Sequence, residues 1–193
     1  MSSKRTLFLV EVAIFTAFAL LLDIIPFLSF KIWGQGGSIS FAMIPVFIVA
    51  FRWGMKGGLL SGFLWGILQI ALGVADMYFF WQIVIEYGLA FTVLGFAGAV
   101  SKPVQQAIKA GNIKKSFVYI MAGVFIGSAL RFLCHFYAGI VFFAQWMPEG
   151  WSNIWIYSLV YNISYMFPSF ILCTIIVFFL FSKQPRTLLR TAV

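Results

Sequence analysis

Residues 123–143 read GVFIGSALRFLCHFYAGIVFF, an apolar run in which only Arg131 and His135 can carry a positive charge. An α-helix of about 20 apolar residues spans the hydrocarbon core of a bilayer. The run therefore predicts a transmembrane helix that carries two ionisable side chains at membrane depth. Such residues are rare in membrane spans and usually mark functional sites.

A single stripe along this helix collects its unusual residues. Side chains four positions apart lie one above another on a helix, so they share a face. Small residues on such a face let a neighbouring helix approach closely. The pattern predicts that this stripe forms the wall of a polar pocket. Its members are Gly123, Gly127, Arg131, His135, Gly139 and Phe143.

The composition of the whole chain indicates an integral membrane protein. Of the 193 residues, 63% are hydrophobic and 9% are charged, and the mean hydropathy is +1.02. Soluble domains contain roughly 25% charged residues. We predict an all-α integral membrane protein with one six-helix domain over residues 1–193. The predicted spans are 7–29, 38–52, 57–75, 79–100, 116–146 and 152–182. The second is short and contains Pro45, and Asp23, near the end of the first, can face the membrane interface.

The basic residues are distributed unevenly between the two sides of this layout. Eleven of the thirteen Lys and Arg residues fall in the two tails and in the loops after helices 2 and 4. Cytoplasmic loops carry an excess of Lys and Arg, so both termini are predicted to be cytoplasmic. This topology explains the net charge of +8 better than a nucleic-acid partner would, so we predict no nucleic-acid binding.

Polar and aromatic residues on helices 3 to 6 fall at a similar depth in the outer half of the bilayer. Trp65, Glu86, His135 and Asn162 define this level, and Tyr157 and Phe143 lie closer to the outer surface. Each residue alone could serve in helix packing, and Arg131 is expected to act as a structural partner or to snorkel. Their convergence favours one binding site.

The chemistry of this set favours a small, flat, cationic ligand that enters from outside. A carboxylate supplies counter-charge, and each aromatic face adds roughly 0.5–2 kcal/mol through a cation–π contact. His135 and Asn162 can hydrogen-bond a heteroaromatic ring. The glycine-rich turn after Trp33 could close over the pocket or be a plain connector. No nucleotide-binding loop, metal motif or catalytic triad is present, so we predict no cofactor, no metal and no enzymatic activity.

The same residues resemble a known family, the thiamine-specific substrate-binding subunit (S component) of energy-coupling factor (ECF) transporters. The resemblance covers nearly the whole chain. It rests on Glu86-Tyr87, on Arg131-Phe132 with His135-Phe136 and Ala138-Gly139, on Gly150-Trp151, and on Tyr157-Ser158-Leu159 with Asn162. It implies a bacterial cell-membrane protein that captures thiamine from outside. The implied pocket contains Glu86, Tyr87, His135, Gly139, Tyr157, Asn162 and Trp65.

The resemblance also implies protein partners. An S component associates with a transmembrane coupling subunit and two ATP-hydrolysing subunits, and the implied contact is the small-residue face of Ala13 and Ala17. Internal packing is the alternative role for these alanines. The resemblance also implies that Trp33 contacts the ligand as the family's loop tryptophan. Two departures concern the pocket: Phe143 stands where the family places a stacking tryptophan, with Trp146 one turn on, and the first outer loop, which contains Trp33, is longer. An S component for another vitamin, or a stand-alone secondary transporter, remains an alternative.

Overall fold

The computed structural model describes residues 2–33 and 36–189 and contains the six predicted helices. We label the six main helices α1 to α6 and the two strands β1 and β2. The bounds are α1 Ser2–Ile24, β1 Ser29–Trp33, β2 Gly36–Ser40, α2 Met43–Trp53, α3 Met55–Ala71, α4 Phe80–Lys109, α5 Ile113–Phe142 and α6 Ile154–Lys183. A short helix, Pro185–Leu188, follows α6.

The predicted helices were wrong at residues 25–29 and 38–42, because a β-hairpin separates the first two helices. Helix α1 ends at Ile24 and not at residue 29, because the residue before Pro26 disfavours helical geometry. Strands β1 and β2 pair antiparallel, with Ser29 opposite Ser40. Gly37 has a positive φ of 66°, a conformation that glycine adopts without steric cost.

Helix α2 forms the centre of the bundle and is only 11 residues long. All residues from Met43 to Phe51 are buried, as expected for a helix that is apolar on every side. Pro45 lies in the first turn, where its missing N–H removes no intrahelical hydrogen bond. Gly54, with φ 78°, reverses the chain into α3. Helices α1, α4, α5 and α6 are long and apolar enough to cross a membrane.

Helix α4 changes its geometry along its length and packs closely on α3. Residues Val84–Leu89 form a π-helical segment, and Val93–Val100 form a 3-10 segment. A Cβ atom on Gly66 would collide with the carbonyl oxygen of Tyr87, and one on Gly62 with that of Phe91. The two glycines therefore let α4 approach α3 backbone to backbone, which sets the position of the π-helical segment.

Helix α1 and the segment that follows α6 both contact the end of α2. Arg52, at the end of α2, donates hydrogen bonds to both carboxylate oxygens of Glu11 on α1, at 2.5 and 2.7 Å, and to the carbonyl oxygen of Leu189 at 3.0 Å. Trp53 Nε1 also donates to Glu11, at 2.6 Å. These contacts place Glu11 in the first half of α1 close to Leu189, which follows α6, in agreement with an even number of predicted spans.

Candidate functional site

A cavity of about 660 Å³ opens between the hairpin, α1 and helices α3 to α6. This size falls within the range typical of small-molecule sites, about 300–1,000 Å³. Eight of the nine residues predicted to contact a ligand line it: Trp65, Glu86, Tyr87, His135, Gly139, Phe143, Tyr157 and Asn162. Their role in binding stays a prediction, but their proximity is a property of the fold.

Glu86 lies on the π-helical segment, and its carboxylate contacts the polar atoms of two side chains. His135 Nδ1 is 3.3 Å from its Oε1, and Gln82 Nε2 donates to its Oε2 over 2.5 Å. The Gln82 side chain is oriented by its own backbone contacts: its Oε1 accepts from the N–H of Tyr78 at 3.1 Å, and its Nε2 donates to the carbonyl of Asp76 at 2.9 Å. The carboxylate is therefore held in place, yet it still faces the cavity.

Arg131 lies in the cavity wall. The sequence allowed it to snorkel to the membrane surface or to act as a structural partner, for example of Glu86. In the structure its side chain stays in the wall and its hydrogen bond goes to His135. Its guanidinium carbon is 4.3 Å from the ring centre of Phe91 and 5.1 Å from that of Trp65. Its Nε donates to His135 Nε2 over 3.3 Å. Its Nη1 is buried without a hydrogen-bond partner. Arg131 thus lines the cavity and contacts three other residues of its wall, His135, Phe91 and Trp65.

Three aromatic side chains on α3 and α4 form the wall beside Glu86. The Tyr87 ring stacks on Phe91, with centroids 5.8 Å apart, and its hydroxyl accepts a hydrogen bond from the N–H of Asp76 at 2.8 Å. Trp65 packs edge-on against Phe91 at 4.3 Å, and its side chain is almost fully buried. These ring contacts hold the three side chains against one another in the cavity wall.

The wall formed by α5 and α6 is polar where the two helices touch. Asn162 Nδ2 donates to the Ser158 carbonyl at 2.9 Å, and its Oδ1 accepts from the Tyr165 hydroxyl at 2.6 Å. Gly139 faces Ser158, and a Cβ there would collide with the Ser158 hydroxyl. The absence of a side chain at Gly139 therefore allows this close contact.

Three aromatic rings in the cavity lining pack against one another. Phe143 is 6.0 Å from Tyr78 and 5.6 Å from Trp146, and Tyr78 is 5.1 Å from Trp146. All three line the cavity. Both rings considered as stacking partners, Phe143 and Trp146, are thus available to a ligand at this level.

Trp33 does not line the cavity directly. Its Nε1 donates to Ser164 Oγ over 2.8 Å, and its ring lies 5.5 Å from that of Tyr161, which does line the cavity. Gly34 and Gln35, part of the predicted closing loop, lie outside the described residues. Trp33 therefore attaches the end of β1 to α6 beside the site.

The cavity wall also contains a carboxylate, Asp23, that was not predicted to lie there. Asp23 does not face the interface as expected: it accepts hydrogen bonds from Gln69 and, at 3.4 Å, from Ser40. All three residues line the cavity. Their positions depend on the hairpin and on the rotation of α1, neither of which was predicted.

Tyr161 and Tyr165 also line the cavity and were missed. A signal was present, because Tyr157, Tyr161 and Tyr165 recur at every fourth residue and so share one face of α6. Within residues 2–33 and 36–189, no cluster of three His, Cys, Asp or Glu side chains is arranged to hold a metal ion.

Ala13 and Ala17 lie on the outside of the bundle, away from this cavity. Both are exposed on α1, whereas Ala19 is buried. Exposure excludes the alternative in which these two alanines serve close packing within the described bundle. The face is therefore available for contact with lipid or with another protein.

Comparisons with known proteins agree on one family. The family described as "Thiamine transporter protein" (Thia_YuaJ) matches residues 9–189. The chain is 44% identical to the thiamine transporter ThiT of Bacillus subtilis (strain 168), over 96% of each chain. It is 32% identical to ThiT of Lacticaseibacillus paracasei, over 95% of this chain and 90% of that protein. The solved structure of ThiT from Listeria monocytogenes superposes with a TM-score of 0.89 at 32% identity and covers 96% of this chain and 99% of that one. The chain thus belongs to the thiamine transporter protein family.

Proposed function

We propose that this chain is the thiamine-binding membrane subunit of an ECF-type vitamin uptake transporter. Membership of the family makes it a multi-pass protein of the bacterial cell membrane that acts in transport and not in catalysis. The relatives that it resembles over nearly their full length carry the name thiamine transporter. The specific site, the ligand geometry and the partner subunits are our proposal.

The observation that carries this proposal is the position of Glu86 in the aromatic cavity. Thiamine joins a cationic thiazolium ring to an aminopyrimidine ring, so it needs a counter-charge, flat surfaces and hydrogen-bonding groups. Glu86 supplies the negative charge, held at 3.3 Å from His135. The rings of Tyr87, Phe143 and Tyr157 supply flat surfaces around it, where each cation–π contact contributes roughly 0.5–2 kcal/mol.

The second half of the proposal concerns energy coupling. The sequence contains no G-x-x-x-x-G-K-[ST] motif, the phosphate-binding loop of many ATPases. An uptake protein without this loop needs an ion gradient or separate ATP-hydrolysing subunits. The exposed Ala13 and Ala17 face on α1 fits a transmembrane coupling subunit, because small residues permit close helix–helix contact in the membrane.

Titration of the purified protein with thiamine tests the ligand. Trp65 and Trp146 line the cavity, so we expect saturable quenching of tryptophan fluorescence. Competition with riboflavin, biotin and the thiamine pyrimidine precursor then defines selectivity. Tight binding of another vitamin and none of thiamine would reject the assignment. Thiamine uptake by this chain alone in liposomes, without ATPase subunits, would reject the ECF part.

A further inference from the structure

We propose that Arg131 is a positioning residue that fixes the protonation pattern of His135. In this arrangement His135 is neutral, carries its single proton on Nδ1, and donates that proton to Glu86. Arg131 thus acts on the site through His135 and does not itself need to contact the ligand.

The first step is the contact between Arg131 and His135. The Nε of Arg131 lies 3.3 Å from Nε2 of His135 and donates to it. A guanidinium is always charged in proteins and has N–H donors but no acceptor. The ring nitrogen that faces it must therefore present a lone pair, so Nε2 carries no proton.

The second step follows from the chemistry of imidazole. A neutral imidazole has one N–H donor and one acceptor nitrogen, so an accepting Nε2 leaves the proton on Nδ1. This nitrogen is 3.3 Å from Glu86 Oε1, and a carboxylate accepts hydrogen bonds. A doubly protonated ring would direct an N–H, and a positive charge, at the guanidinium of Arg131, which is unfavourable.

Arg131 is itself held in position by its surroundings. Its guanidinium lies over the rings of Phe91 and Trp65, at 4.3 and 5.1 Å. The carboxylate of Asp23 on α1 interacts electrostatically with it. Arg131 and His135 are also one helical turn apart on α5, so their relative positions are set by the backbone.

The consequence concerns Glu86 and rests on the function proposed above. Each carboxylate oxygen of Glu86 accepts from a donor that another group orients. His135 donates to Oε1 and is oriented by Arg131. Gln82 donates to Oε2 and is oriented by the backbone N–H of Tyr78. The carboxylate is therefore pre-oriented as an anion, with lone pairs left for a cationic ligand. Without Arg131, His135 could present a lone pair to Glu86 and displace it.

The protonation pattern can be measured directly, because His135 is the only histidine in the chain. Nitrogen-15 NMR of histidine-labelled, ligand-free protein distinguishes the two neutral tautomers and the doubly protonated ring. At neutral pH we expect the Nδ1–H tautomer in the wild type. We also expect it in Glu86→Gln, because Arg131 alone is sufficient to keep Nε2 unprotonated.

Variants at Arg131 separate its influence from that of Glu86. The Glu86→Gln/Arg131→Met double variant should lose the Nδ1–H signature, whereas Glu86→Gln/Arg131→Lys should keep it, because lysine is also only a donor. Ser128→Ala is the matched control on α5, since it removes a buried hydroxyl with no partner, and should leave the spectrum unchanged.

A proton on Nε2 in the wild type, or a switch of tautomer in Glu86→Gln alone, would overturn the proposal. The spectra of the wild type and of Glu86→Gln test the proposal even if the variant that contains Arg131→Met fails to fold. Because no ligand is present, failure of this proposal and failure of thiamine binding are separate outcomes.

Discussion

The indole Nε1 of Trp33 donates a hydrogen bond to Ser164 Oγ over 2.8 Å, which joins the end of β1 to α6. The hairpin lies over the cavity: Gly37, Ser38 and Ser40 of β2 line it. The position of the hairpin is therefore coupled to a helix that also carries Tyr157 and Asn162. Loss of this attachment is therefore expected to loosen the hairpin beside the cavity.

Replacing Trp33 by Phe keeps an aromatic ring beside Tyr161 but removes the indole donor. A hydrogen bond of this kind contributes about 1 kcal/mol, so thiamine should dissociate about fivefold faster. Ser164→Ala should have the same effect, and the double variant should add nothing further, because both changes remove one bond. Stopped-flow fluorescence measures the rates. Additive effects would show that Trp33 and Ser164 act independently.

The contact of Gly66 with Tyr87 is predicted to position the π-helical segment. A Cβ in Gly66→Ala would collide with a backbone carbonyl oxygen, which cannot rotate away. We expect a loss of about 1–3 kcal/mol in unfolding free energy, as for other overpacked sites, together with weaker thiamine binding. Thermal unfolding and binding isotherms measure both quantities.

Gly88→Ala is the matched control for this prediction. Gly88 lies in the same π-helical segment, but a Cβ there meets no atom within 4 Å. It should bind thiamine nearly as the wild type does. Equal losses in the two variants would indicate that the segment tolerates no added side chain, whatever its contact with α3.

The ion pair of Glu11 with Arg52 is predicted to stabilise the fold without affecting the ligand. Side chains of both residues are largely buried, with 17% and 12% exposure, and neither lines the cavity. Hydrogen bonds to charged groups contribute about 1.5–3 kcal/mol, so Glu11→Gln should lower the melting temperature and leave thiamine affinity unchanged. The exposed Glu149→Gln is the control. An unchanged melting temperature in Glu11→Gln would contradict this role.

Enlarging the exposed alanine face on α1 should separate binding from transport. Ala13→Leu/Ala17→Leu adds bulk on the outside of the bundle, so the purified variant should bind thiamine normally. Uptake with the ECF subunits should fall, because the coupling helix could no longer approach closely. Val118→Leu, an exposed enlargement on α5, is the control. Normal uptake in the alanine variant would place the partner contact elsewhere.

The helical layout could be predicted because each span leaves a long apolar run in the sequence. The shared face of α5 could also be predicted, because a spacing of four residues places side chains on one side of a helix. In the structure, a Cβ on Gly123 or Gly127 would contact Phe51 or Phe47 of the buried α2. Further along the same face, Arg131 and His135 line the cavity. The spacing of residues along one helix defines a face whatever elements pack against that helix, so this face could be predicted from the sequence.

The hairpin and the position of Asp23 could not be predicted in the same way. Residues 29–40 are mostly polar or glycine, which predicts a loop, and the pairing of Ser29–Trp33 with Gly36–Ser40 depends on hydrogen bonds between two segments that the sequence pattern does not reveal. Asp23 reaches the cavity because α1 is rotated to meet Gln69 and Ser40. The π-helical segment likewise depends on contact between Tyr87 and Gly66, two residues on different helices.

The most direct test of the central claim is the thiamine binding isotherm of Glu86→Gln, measured beside the wild type and Glu149→Gln. The claim is that the Glu86 carboxylate, in its aromatic cavity, is the counter-charge for the bound cation. Loss of hydrogen bonding to a charged group, about 1.5–3 kcal/mol, predicts binding at least about tenfold weaker. Glu149→Gln should bind as the wild type does. Wild-type affinity in a folded Glu86→Gln protein would contradict the claim.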